Sequence, residues 1–167
     1  FGRILSEEII PELKQNNICL YYGDAIRSEH KETIREYFLS KVLSFLQPVL
    51  LQKENQPNVF LENNALYFIV DIEPADQPGK HQYAVLNIPS SNLPRFSELP
   101  MLGNDNYLLF LDEVIRENLQ EIFPAVLIHG AWSIKLTRDA EMNLEDEFIG
   151  DLAEKIEKQL EKREVGH

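Results

Sequence analysis

From Val126 to Thr137 apolar and polar side chains alternate. Val126, Ile128, Trp132, Ile134 and Leu136 share one parity, and His129, Ser133, Lys135 and Thr137 the other. That pattern predicts a long strand with one buried and one mostly polar face. The period then changes. Ile149, Leu152, Ile156 and Leu160 form the apolar stripe of a helix, with Asn143 or Asp146 as its cap and Glu145, Asp146 and Glu147 at its dipole-favoured end.

Earlier segments follow the same logic. Ser6 to Gln15 reads as a short helix, with Pro11 in its first turn or kinking it. Ile18 to Tyr22 is a strand closed by Gly23-Asp24. Ser28 caps a helix whose apolar side is Ile34, Tyr37, Phe38, Val42, Phe45 and Leu46, and Pro48 stops it. Residues 52–63 are polar and read as a loop. Ala65 to Ile72 is apolar on both faces, as in a central strand. It is joined through a turn over 74–80 to a strand at Gln82 to Ile88. Arg95 to Glu98, flanked by Pro94 and Pro100, is an edge strand. Leu108, Leu111, Val114, Ile115, Leu119 and Ile122 trace a helix that Pro124 ends, with Tyr107 to Leu109 as a strand leading into it. Strands mix with helices without strict alternation. The expected class is α+β, a single domain with a mixed or antiparallel sheet packed with helices.

Composition narrows the function. The 167 residues suffice for one core, and the formal net charge of −12 repels nucleic acid and other polyanions. No nucleic-acid partner is expected. The single cysteine, Cys19, excludes an internal disulfide and reads as a small buried residue. No apolar run approaches the ~20 residues of a membrane helix, so no membrane span is expected. The chain opens on Phe1 and closes on Gly166-His167, which reads as a piece of a longer protein.

Candidate chemistry is sparse. There is no phosphate-cradling glycine loop, no C-x-x-C and no H-E-x-x-H spacing, so spacing supports neither a metal nor a catalytic residue. His30 and His81 read as solvated. His129, on the polar side of the long strand, reads as a half-exposed strand residue ahead of a catalytic or ligand role. Arg138-Asp139, at the end of that strand, reads either as a clamp fixing the turn or as an anion-binding fork.

The wording of several segments adds to this. Ser133-Ile-Lys-Leu-Thr-Arg-Asp-Ala-Glu-Met142 resembles the F-R-x-T-R-D-A/S-D-L segment of bacterial polyphosphate kinases. The run from Phe110 to Pro124 is similar to the helix preceding it in that family. Leu93-Pro-Arg-Phe with Leu99-Pro100 resembles L-P-R-F/V-x-x-L-P, Tyr37 to Pro48 resembles an earlier helix end, and Glu161 to Gly166 the start of R-R-x-F-G. The departures are Ser133, Lys135 and Val165, where the family has an aromatic, arginine and phenylalanine.

The resemblance implies that 1–167 is the middle, or head, domain of such an enzyme, with 1–17 connecting from a preceding N-terminal domain. It implies reversible transfer of the terminal phosphate of ATP to polyphosphate through a phosphohistidine outside this chain. ATP and magnesium then serve the whole enzyme, and no cofactor or catalytic residue falls here. The implied partners are the remaining domains and a second copy of the enzyme, in the cytoplasm or peripheral to a membrane. Arg95, Phe96, Arg138 and Asp139 are the expected interdomain or dimer contacts. The alternative is a free-standing module for an anionic, phosphoinositide-like ligand, using Arg95 and Arg138.

Overall fold

A computed structural model describes residues 2–51 and 61–137. The expected C-terminal helix, the Arg138-Asp139 pair and most of the polar loop lie outside the described residues. In chain order the helices are α1 (Gly2–Ile4), α2 (Ile10–Gln15), α3 (Ser28–Tyr37), α4 (Leu111–Glu117) and α5 (Leu119–Ile122). The strands are β1 (Ile18–Tyr21), β2 (Val49–Leu51), β3 (Leu66–Pro74), β4 (Gln82–Ile88), β5 (Phe96–Leu102), β6 (Asp105–Phe110) and β7 (Val126–Lys135). The α+β class is observed, with the strands in two sheets. The described residues form two compact units, one from 2–46 and 88–124, the other from 47–51, 61–87 and 125–137.

The first unit carries a three-stranded sheet in the order β1-β6-β5. β1 runs parallel to β6, with Ile18 beside Asn106 and Tyr21 beside Leu109, and β5 is antiparallel to β6. Ile34, Phe38 and Val42 recur every fourth residue on α3 and the π turn that continues it, and all three are fully buried. Each such side chain contributes about 1.5–3 kcal/mol of hydrophobic stabilisation. The expected Ser28 cap does not form. Ser28 is already helical, and its hydroxyl donates to Glu29 at 2.9 Å. The helix expected to run on to Ile122 is interrupted at Asn118. That side chain is buried and donates Nδ2–H to the Val114 carbonyl at 2.8 Å, a local bond that competes with helix continuation.

His30 corrects the sequence expectation most sharply: it is fully buried rather than solvated. A carbonyl only accepts, so Nε2–H donates to the Pro100 carbonyl at 2.8 Å. In the neutral ring Nδ1 then accepts from the Tyr21 hydroxyl at 2.8 Å, and that oxygen accepts from the Arg27 amide at 3.3 Å. The ring also meets Tyr107 edge-on, with centroids 4.7 Å apart. One side chain of α3 therefore touches all three strands of its sheet. Cys19, expected to be buried, is partly exposed on β1.

The second unit carries a four-stranded sheet in the order β2-β4-β3-β7. The expected neighbouring pair β3 and β4 is present, and β3 is central and buried along most of its length. β2 was not legible as a strand because it has only three residues, all partly buried. Tyr67 and Ile69 of β3 form a cluster with Leu61 and Val85, against which Ile134 and Leu136 pack.

The long strand β7 does not keep a single apolar face. Asp71 pairs with Gly130, but the next residue, Ile72, pairs with Ile128. His129 is therefore the extra residue of a β-bulge. Trp132 and Ile134 lie opposite Ile69 and Tyr67, whereas Ile128 and Val126 lie opposite Ile72 and Pro74, on the other face of β3. The bulge exchanges the faces, so the parity read from the sequence holds only on each side of it. No helix among the described residues is long and apolar enough to cross a membrane.

Candidate functional site

A cluster of four titratable side chains is built around that bulge. Asp71 and Glu73 alternate onto the same face of β3, His81 precedes β4, and His129 is the bulged residue of β7. His129 Nε2 lies 2.7 Å from Glu73 Oε2. The other Glu73 oxygen, Oε1, accepts from the Gly79 amide at 2.9 Å. Gly79 has φ of +80°, a left-handed conformation that glycine adopts without strain, and this aims its N–H back at the carboxylate. His81 Nδ1 lies 2.9 and 3.0 Å from the two oxygens of Asp71, a largely buried carboxylate. The two imidazoles are stacked, with centroids 4.4 Å apart and planes tilted by 31°.

The Gly79 amide, followed by the hydrogen bond from His129, holds the Glu73 carboxyl below its ordinary value. The site is thus two carboxylates and two imidazoles on a hydrogen-bonded strand frame. Among the described residues, one donor atom from each of Glu73, His81 and His129 falls within 4.8 Å of the other two. Such an arrangement can share protons or a cation.

Sequence reasoning treated His81 and His129 separately because no short spacing links them. Gly130 was the available signal. A lone glycine inside a strand pattern marks a bulge or a close approach, and here it marks both. A Cβ on Gly130 would stand 2.7 Å from Trp132 Cη2, so the indole lies directly over the glycine.

Arg95 and Phe96, the expected contact residues, sit together in the first unit. The Arg95 guanidinium grips Asp112 through an ion pair and a 2.8 Å Nη2–Oδ2 hydrogen bond, and stands 5.8 Å from the centre of the Phe110 ring. Its fork is taken up by that internal carboxylate, which disfavours the anionic-ligand alternative at this residue. Phe96 is 49% exposed and stacks on Phe110 at 4.6 Å, with Tyr22 6.2 Å beyond. The strand that carries Phe96 is a sheet edge. Arg138 and Asp139 lie outside the described residues.

Known proteins match closely. Residues 29–167 match the family model described as the polyphosphate kinase middle domain. The chain is similar to the polyphosphate kinase of Pseudomonas aeruginosa, with 30% identity over 98% of this chain and 24% of that protein. For the polyphosphate kinase of Salmonella typhimurium the identity is 30%, over 95% of this chain and 23% of that protein. The crystal structure of the polyphosphate kinase from Porphyromonas gingivalis superimposes with a TM-score of 0.77 and 31% identity, covering 86% of this chain and 22% of that one. The chain thus spans about a quarter of the length of the curated relatives it matches. On these grounds the chain belongs to the polyphosphate kinase family, to whose middle domain it corresponds.

Proposed function

We propose that this chain is the supporting, non-catalytic part of a polyphosphate kinase. That enzyme transfers the terminal phosphate of ATP, reversibly, to a growing polyphosphate chain through a phosphohistidine located in other domains. ATP and magnesium belong to those domains. The observation that carries the reading is the match of residues 29–167 to the middle-domain family. Two physical features agree with it. The net charge of −12 opposes the binding of a polyanion, and the Arg95 guanidinium is committed to Asp112 instead of a phosphate.

The role of the chain is assembly. Arg95, just before β5, is tied to Asp112 in the first turn of α4, and the neighbouring aromatic group of Phe96, Phe110 and Tyr22 offers an exposed surface to the rest of the enzyme and its homodimer. Incubating the chain alone with ATP and magnesium tests the reading. No polyphosphate forms under this account, whereas clear synthesis refutes a purely supporting role.

A further inference from the structure

We propose that Glu73, His81 and His129 form a binding site for one divalent transition-metal ion of the zinc class, with Asp71 orienting His81. The donor set fits that class. Two imidazoles and one carboxylate suit zinc, cobalt or nickel, whereas magnesium and calcium call for more oxygen ligands.

The geometry is close to a bound state. Donors about 2.0–2.1 Å from a tetrahedral zinc lie about 3.3 Å from one another. Here His129 Nε2 and Glu73 Oε2 are 2.7 Å apart, and one donor from each of the three residues falls within 4.8 Å of the other two. Side-chain rotations moving donors by about 1 Å would close the set around an ion. The ion would take the place of the proton between His129 and Glu73. The Nε2 proton would pass through solvent to Nδ1, so the imidazole would stay neutral.

The surroundings are those of a supported metal site. Asp71 accepts from His81 Nδ1–H, which fixes the tautomer with Nε2 unprotonated, as in the carboxylate–histidine–metal arrangement. The Gly79 amide anchors the far oxygen of Glu73. The bulge points His129 at Glu73, and every ligand is on or beside a hydrogen-bonded strand. Asp71 and Glu73 together supply two negative charges, which a divalent ion neutralises.

The test is zinc titration of the chain by calorimetry, with cobalt absorption as the readout of tetrahedral coordination. One ion should bind per chain, and saturating magnesium should not displace it. His81→Gln, His129→Gln and Glu73→Gln, near-isosteric changes checked for folding by circular dichroism, should each weaken zinc binding by about tenfold or more. His167→Ala, at the chain end, should leave it unchanged. Absence of binding at tens of micromolar zinc, equal binding by the three glutamine variants, or loss of binding in His167→Ala would overturn the proposal.

Discussion

The Tyr21 hydroxyl and His30 Nδ1 lie 2.8 Å apart in the core of the first unit, and the opposite ring nitrogen of His30 holds the Pro100 carbonyl. Both ring nitrogens of His30 and the Tyr21 hydroxyl have named partners, and the ring is fully buried, so the unit depends on this hydrogen-bonded set as a whole. Tyr21→Phe keeps the ring packing but leaves His30 Nδ1 and the Arg27 amide without that oxygen. We expect a loss of about 1–3 kcal/mol in urea unfolding. An unchanged midpoint would show that water replaces the phenol.

The same phenol gives a pH dependence. Burial, the largest cause, raises the Tyr21 pKa above its ordinary value of 10.0. The folded state therefore holds that proton more tightly than the unfolded chain. Its contribution is fully present below pH 10.0 and is lost as pH rises through the higher folded value. The phenol of Tyr107 is raised in the same direction, also by burial. Stability should fall more steeply with alkaline pH in the parent than in Tyr21→Phe, which retains only the Tyr107 share. Parallel curves would contradict this.

Gly130 and Trp132 make a third prediction. A methyl group at Gly130 would meet the indole ring at 2.7 Å, and Trp132 is the single tryptophan of the chain. Gly130→Ala should displace the ring and cost about 1–3 kcal/mol. The fluorescence emission should shift towards that of a solvated indole. A stable variant with unchanged emission would mean that the ring does not cover the glycine in solution.

Arg95 and Asp112 should behave as one unit. Arg95→Ala leaves a mostly buried carboxylate without its cation, and Asp112→Asn leaves the guanidinium without its anion. Because Arg95 is about one-third exposed, solvent screening limits the expected cost to about 1–2 kcal/mol for either change. The double variant should cost less than the two single changes combined, by about 0.5 kcal/mol or more. Full additivity would indicate that the arginine serves an external ligand instead.

These predictions rest on features of unequal legibility. Central β3 was readable because both its faces are apolar, and the start of the α3 segment because Ile34, Phe38 and Val42 recur at helical spacing. Gly130 hinted at a bulge, but the register shift it accompanies was not readable, since register is fixed by pairing between strands distant in sequence. It is this bulge that moves Val126 and Ile128 to the opposite face from Trp132. The burial of His30 was hidden for a related reason. Its partner Pro100 lies 70 residues away, and a polar residue in a first helical turn ordinarily faces water. The histidine–carboxylate cluster needed both the bulge and the turn at Gly79 before its members could meet.

The most direct measurement of the central claim is domain replacement. In the Pseudomonas aeruginosa polyphosphate kinase, the segment matched by this chain would be exchanged for residues 1–167, and polyphosphate synthesis from ATP and magnesium measured. The account predicts an active chimera that assembles like the parent, with Phe96→Asp impairing assembly and activity together. A folded, correctly assembled chimera without activity would contradict it, because a supporting domain supplies none of the reacting groups.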